Sequence, residues 1–470
     1  MRYKIFGHNP SNIRLINLIS LIIISAVFAS AVKTYAGSYS FGLKPVSPLR
    51  TITLNGAYAL AAHRNGDIKA AKEQYYQSTL LKWSALGMVL PDISLKYTDQ
   101  RLHVNSAPTP PQYAPLMGNI FTFFFPDFEY SLALNEPAIN FSAIPAYMSA
   151  ANARKAAKMS ANNISANTLY NVAVDYYTVL NDISLVKADG KTLKEAKSHL
   201  ELTDAKLKAG LAIITDLLQA KSQFYAAKQE FVSAKNMLKS AKSKLVSIIG
   251  VNGNFQVIKP KNPALKKISL RDYIKLAYKN NPGLKSLKFA QKSADDKTGF
   301  YESQYMPRID FTASYNALSD EHFIPQGATN YWTAGAVLTV PIFQGLSRII
   351  SIEKARSQAN ASMYKTIQAK RDLKALVVSE FYNAGSLKSE VGTLKHEERF
   401  ASKNYMLVEE EFKAGVATSV DVVTALAELI RARHNLLSAK LDYYESVLDL
   451  KRLTGSFKRK LISLNVDKFN

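Results

Sequence analysis

Four stretches of the chain alternate apolar and polar residues with a period of two, and the long segments between them repeat apolar residues every three or four positions. Ile93, Leu95 and Tyr97 alternate with Asp92, Ser94 and Lys96, and Ile309, Phe311, Ala313 and Tyr315 alternate with Arg308, Asp310, Thr312 and Ser314. Phe128, Tyr130, Leu132 and Leu134 do the same, as do Trp332, Ala334, Ala336 and Leu338. The spacing predicts strands over about 91–98, 127–136, 307–316 and 331–340, each with one greasy and one wet face. Such strands suit the wall of a membrane barrel, and equally a half-buried soluble sheet. Four strands do not close a barrel, because membrane barrels begin at about eight. If this is a barrel, several copies share it, and two or three copies both remain open.

The helical pattern is equally regular. After Gly210, the residues Leu217, Ala220, Phe224, Ala227, Phe231, Ala234, Leu238, Ala241 and Leu245 recur at alternating steps of three and four. Val422, Ala425, Leu429, Ala432, Leu436, Ala439, Tyr443, Ser446 and Leu450 repeat the pattern after Gly415. Large and small residues take turns along this heptad seam, which favours helices packed closely side by side. The spans 137–210 and 341–415 contain few glycines or prolines. A helix over most of either is about 100 Å long at ~1.5 Å per residue, a rod and not a domain core.

The two halves are copies of each other. Ile52, Leu54, Leu60, Ala61, Asn65, Lys69, Pro91 and Ile93 fall on Ile268, Leu270, Leu276, Ala277, Asn281, Lys285, Pro307 and Ile309 at a constant offset of 216. Leu134 and Pro137 fall on Leu338 and Pro341 at 204; Gly210, Asp216, Ala220, Ser233, Leu245 and Gly250 fall on Gly415, Asp421, Ala425, Ser438, Leu450 and Gly455 at 205. Ordered blocks with nearly fixed offsets mean a tandem duplication. The expected organisation is a signal peptide over 1–31, an extended segment over 32–51, a first repeat over 52–250, a linker over 251–267, a second repeat over 268–455 and a tail over 456–470.

Composition then narrows the setting. Arg2, Lys4 and Arg14 precede an apolar run over 15–29 and the small-residue exit Ala29-Ser30-Ala31, with a second exit after Ala36. This is the pattern of a bacterial-type secretory signal peptide. The formal charge of +23 invites a nucleic-acid reading. Removing 1–31 still leaves +20, but an exported protein does not meet chromosomal DNA. There is no cysteine, so disulfides, thiolate metal sites and a lipid-anchored N-terminal cysteine are excluded. The seven histidines are scattered, and His396-Glu397-Glu398-Arg399-Phe400 lacks the second histidine of a zinc-protease motif. No phosphate-cradling glycine loop occurs, and nothing argues for an enzyme or a cofactor.

Lys413-Ala414-Gly415-Val416-Ala417-Thr418-Ser419-Val420-Asp421, followed by Ala425, Leu429, Arg433 and Leu436, resembles the helix-turn-helix hallmark of the TolC-like outer membrane efflux protein family. The segment from Gly210 through Thr215 and Asp216 to Ala220 resembles its first-half counterpart, and Asn281-Pro282, Met306-Pro307 and Leu338-x-x-Pro341 match its boundary patterns. Asn65-Gly66 departs from the pattern, since the family's proline is missing. The resemblance implies a mainly α fold with a β-barrel part. In it, a homotrimer builds a twelve-stranded barrel in outer-membrane lipid, continuous with a periplasmic tunnel of long coiled helices. It further implies the exit duct of a tripartite efflux or type I secretion system, working with a periplasmic adaptor and an inner-membrane transporter. The competing readings are a soluble periplasmic coiled-coil scaffold and a polyanion-binding envelope protein.

By the same resemblance, the turns at Gly210 and Gly415 form the tunnel tip and adaptor-docking end. Thr215, Asp216, Thr418, Asp421 and Thr424 lie at the periplasmic constriction, where three copies of each aspartate would make acidic rings. The residues alone support capping as well: Thr418 and Asp421 have capping-box spacing, and an acid in the first turn complements the helix dipole. Thr424 stands where relatives often carry a further acid, and Ala417 offers no charge, so the gate is expected to be held more by packing than by salt bridges. Pro91, Pro137, Pro307 and Pro341 are expected at strand–helix junctions. The proline-rich segment 106–115 and Phe121, Phe123, Phe124 and Phe125 read as an external loop, with an aromatic belt or plug as the functional version. The dispersed basic residues read as a solvated helix face or as an electropositive tunnel lining.

Overall fold

The computed structural model describes residues 51–99, 128–251, 255–319 and 329–457. The expected signal peptide, the external loop with its phenylalanines and most of the tail lie outside the described residues. Each repeat begins with a short helix and a longer one: α1 (Leu54–Arg64) and α2 (Gly66–Leu86), then α5 (Leu270–Asn280) and α6 (Pro282–Ser303). Two strands and two long helices follow in each repeat. The first has β2 (Asp92–Asp99), β3 (Phe128–Asn140), α3 (Ala143–Lys208) and α4 (Ile214–Ile249). The second has β5 (Arg308–Ser319), β6 (Thr329–Thr339), α7 (Ser347–Ala414) and α8 (Ser419–Leu453). With 66 and 68 residues, α3 and α7 are rods of about 100 Å.

The helix break that lacks the family's proline forms all the same, because asparagine does the capping. Asn65 Oδ1 accepts from the amides of Asp67 and Ile68 at 3.0 and 3.3 Å, as Asn281 Oδ1 accepts from Leu284 at 2.9 Å. Each side-chain amide then donates to the last turn of the returning helix, Asn65 to Ile248 O at 3.2 Å and Asn281 to Leu453 O at 3.0 Å. The bond is duplicated along with the sequence, since 248 and 453 are also 205 apart. One asparagine thus starts a helix and ends another.

Residues 251–267 do more than join the repeats. Within them β4 (Gln256–Val257) pairs in parallel with β1 (Thr51–Ile52), and Tyr176 Oη lies 2.8 Å from Ile52 O and 2.7 Å from Ile258 O. The largest buried cluster surrounds this knot, joining Tyr58 of α1, Leu169 and Val172 of α3, Leu245 of α4 and Phe255.

The four long strands form one antiparallel sheet in the order β2-β3-β5-β6. Register aligns Leu95, Leu132, Tyr315 and Trp332 in one row and Ile93, Leu134, Ala313 and Ala334 in the next. Ile93, Leu95, Tyr97, Leu132, Tyr315 and Trp332 are exposed, and Leu134 is half-buried. The other face is stitched by polar bonds: Ser131 Oγ to Asn316 Oδ1 at 2.7 Å, and Ser314 Oγ to Thr333 Oγ1 at 2.9 Å. The sheet ends at β2 and β6, whose outer backbone groups have no strand beside them among the described residues of one protomer.

Pro91 and Pro307 stand immediately before β2 and β5, and Pro341 lies between β6 and α7. Pro137 departs from expectation. It sits inside β3, which continues to Asn140. The strand tolerates it because the β3–β5 register shifts between Pro137 and Ile139, where a missing N–H breaks no regular ladder. The junction proper falls at Asn140, whose side chain accepts from the Ser142 amide and hydroxyl at 3.2 and 2.6 Å.

Around the helical part the packing order is definite. Towards the sheet it runs α2, α3, α6, α7, and towards the turns α4, α3, α8, α7. The layer therefore has two open edges, α2 with α4 on one side and α7 on the other. Burial follows: α8 hides Val422, Ala425, Leu429, Ala432, Leu436, Ala439, Ser446 and Leu450 of its seam. Along the central part of its seam, edge helix α4 buries Ala220, Ala227, Ala234 and Ala241 but leaves Phe224, Phe231 and Leu238 half-buried.

Candidate functional site: the helical tip

Both turns are set by glycines in the left-handed region, Gly210 at φ +74° and Gly415 at φ +84°, a conformation that a side chain disfavours. The preceding helix closes through Leu211 N to Lys206 O at 2.8 Å in the first turn and Val416 N to Glu411 O at 2.9 Å in the second. The returning helices then start differently. Thr418 Oγ1 donates to Asp421 Oδ2 at 2.6 Å and accepts from Asp421 N at 3.3 Å, while Thr418 N donates to the same carboxylate at 2.8 Å. These bonds hold the Asp421 carboxyl below its ordinary range, so this exposed group is an anion at neutral pH. Asp216 accepts only from Ile213 N, at 3.2 Å, because isoleucine has no hydroxyl with which to reciprocate.

The remaining tip residues are distributed as follows. Thr215 is exposed, and Thr424 is exposed with its hydroxyl donating to Val420 O at 2.8 Å. No hydrogen bond or ion pair joins Asp216 to Asp421 among the described residues. Ala417 packs at the edge of a buried cluster containing Phe412, Val422 and Leu426.

Sequence reasoning passed over the residues that brace this tip. His199 of α3 is 2% exposed, with Nε2 3.1 Å from the buried Ser419 Oγ and its ring 4.9 Å from that of Phe412. Burial pushes this imidazole down to about 4, against the opposing pull of Asp216, so it is neutral at physiological pH. Lys206 donates to Phe412 O and lies 4.3 Å from the centre of the Phe412 ring. Further along, Arg433 Nη1 reaches Thr192 Oγ1 and Glu195 Oε2, both at 3.2 Å, and His434 Nε2 lies 2.7 Å from Asp189 Oδ1. The Asp189 bond raises the His434 pKa. Packing alone therefore does not hold α3 to α8; a ladder of ion pairs joins them within the protomer. The only sequence signal was that Arg433, His434 and His199 lie on otherwise apolar helix faces.

No helix among the described residues is long and apolar enough to cross a membrane. The sheet presents an exposed apolar face that includes Ile93, Leu95, Leu132, Trp332 and Leu338. The sequence pattern of the family called Outer membrane efflux protein matches residues 90–251 and 273–456. The chain belongs to this family. The family is one of outer-membrane channels, and as a member the chain is an outer-membrane protein whose helices extend into the periplasm.

Outer membrane protein TolC of Escherichia coli is 24% identical over 319 residues, and that alignment covers 63% of each chain. Alkaline protease secretion protein AprF of Pseudomonas aeruginosa is 22% identical over 341 residues, 69% of each chain. Among solved structures, VceC of Vibrio cholerae superposes with a TM-score of 0.71 at 15% identity, covering 86% of this chain and 96% of that one. The Campylobacter jejuni CmeC outer membrane channel gives 0.72 at 17% identity, covering 92% and 95%. These structural likenesses carry the efflux-protein fold across nearly the whole described chain.

Proposed function

We propose that three copies close head to tail into an outer-membrane exit duct, which passively conducts cargo handed over by an inner-membrane transporter through a periplasmic adaptor. The observation that carries this is the pair of unmatched edges. Strand β2 faces away from β6, and α2 with α4 away from α7, so one protomer's edge is the complement of the next one's. Three sheets of four strands give twelve, above the roughly eight at which membrane barrels begin, whereas one sheet inserted alone leaves both edges unsatisfied.

Cargo falls in the classes named for the relatives, small molecules for efflux proteins and polypeptides for a protease secretion protein. The adaptor docks at the tip, where Leu211, Ile213, Ile214 and Leu218 of the first turn are exposed. In the closed ring, Asp216 and Asp421 line the constriction, and the three ionised Asp421 carboxylates favour cations there. Thr215, Thr418 and Thr424 cap and line the same narrowing without adding charge.

Reconstitution in a planar bilayer tests the reading. Correctly assembled protein is expected to give discrete cation-preferring channels that divalent ions block from the helical side, with block weakened in Asp421→Ala and further in Asp216→Ala/Asp421→Ala. Assembled protein that conducts nothing refutes the duct, and block undiminished in the double variant refutes the acidic rings alone.

A further inference from the structure

A cleft of about 360 Å³ opens between α3, α8 and the segment that follows β4. Its walls are Tyr177, Leu180, Leu441 and Tyr444, and its polar groups include Lys259 and Lys440. The volume is at the small end of ligand pockets, enough for one ring system and too little for a two-chain lipid. All the lining residues come from α3, α8 or the β4 segment, none from the edge helices. Ring closure therefore leaves the cleft free, unlike the wider groove beside Tyr278, which runs along edge helix α7.

The electrostatics are unbalanced. Neither Lys259 nor Lys440 has an ion pair or hydrogen bond among the described residues. Their charges oppose one another, and Glu398 and Lys395 of α7 act on Lys440 from a distance without pairing with it. Burial lowers the Lys440 pKa, and the distant Glu398 offsets this only in part. The two tyrosine rings, 5.2 Å apart and tilted by 48°, present flat apolar walls beside it. Burial raises both phenols, Tyr177 to about 12, so neither supplies the missing negative charge at neutral pH.

We propose that this cleft binds one small planar organic anion per protomer, of the aromatic carboxylate class, with Lys259 and Lys440 on the carboxylate and the ring laid against Tyr177, Tyr444 and Leu441. A bound ring would tie α3 of the first repeat to α8 of the second. The site is separate from the tip, and its occupancy does not depend on whether the pore conducts.

The test is calorimetric titration of the full-length protein in lipid nanodiscs with 2-naphthoate, with empty nanodiscs subtracted. The expected result is saturable binding at about one per chain, about a hundredfold weaker for neutral 2-naphthamide and for Lys259→Gln/Lys440→Gln, because each of the two charge-assisted contacts contributes about tenfold. Leu441→Trp fills the cleft and is expected to remove binding without altering single-channel conductance. Unsaturable uptake overturns the proposal, as does equal affinity for the amide or unchanged affinity in the double lysine variant. Conductance measured on the same preparation separates this failure from a failure of the duct.

Discussion

The turn after α3 and the turn after α7 are copies of one motif, yet they are fastened differently. At Thr418 a hydroxyl, an amide and a carboxylate share three bonds of 2.6 to 3.3 Å, whereas at Ile213 the carboxylate keeps one bond of 3.2 Å and the Asp216 amide falls back on Ile213 O at 3.1 Å. The looser turn exposes Leu211, Ile213, Ile214 and Leu218, and the tighter one only Val416 and Val420. The helices behind them follow suit, since α8 is packed on α3 and α7 while α4 is an edge. Duplication supplied two equal hairpins, and they differ in which helix lies at an edge: the returning helix α4 in the first and the leading helix α7 in the second, with α3 and α8 packed between them.

The sharpest way to break this comparison lies at the far ends of the same helices. Gly455, at φ +62°, leaves a Cβ only 2.5 Å from Asn280 O, while at Gly250, φ +66°, the nearest atom is Arg64 Cβ at 3.1 Å. Gly455→Ala is expected to cost about 3 kcal/mol, from left-handed strain plus overpacking. Gly250→Ala should cost about 1 kcal/mol, from strain alone. Thermal midpoints of the assembled protein decide, and equal losses would contradict the tighter packing assigned to the second repeat.

A smaller effect tests the turns themselves. Thr418→Ala removes a complete cap and is expected to lower stability by about 1 kcal/mol, whereas Ile213→Thr gives the first turn the hydroxyl it lacks and should add about 0.5 kcal/mol. Thr215→Ala, an exposed residue beside the cap, should change it by less than about 0.5 kcal/mol. Denaturant or thermal melts that rank Thr215→Ala with Thr418→Ala would remove the distinction.

The smallest effect is in pH. His434 has a raised pKa, so its contribution is complete below about pH 6.5 and is lost as pH rises through the raised value. His199 is depressed, so its contribution is complete above about pH 6.5 and is lost as pH falls towards about 4. His199→Gln should therefore flatten the acid limb of a stability–pH curve, and His434→Gln the alkaline limb. A swap of those limbs would mean that Ser419 and Asp189 do not hold the two rings as described.

Periodic features were legible in the sequence because period and offset survive without a structure. The strand faces, the alanine seams and the two glycine turns all fall where the pattern put them. Pro137 misled because a register shift cannot be seen in one strand alone. The brace was invisible for a related reason: His199 and Ser419 are 220 residues apart, and His434 and Asp189 245, so no local spacing announces them. Asn65 is the intermediate case. Its alignment with Asn281 marked it, but its bond to Ile248 needed the fold.

The open edges of the sheet carry a genetic consequence. In the proposed ring of three every seam must be sound, so an edge-defective copy made in equal amount with the normal one leaves only about one ring in eight free of it. Lesions on β2 or β6 are therefore expected to be dominant in a cell that carries both alleles. Lesions that merely prevent a chain from folding should be recessive.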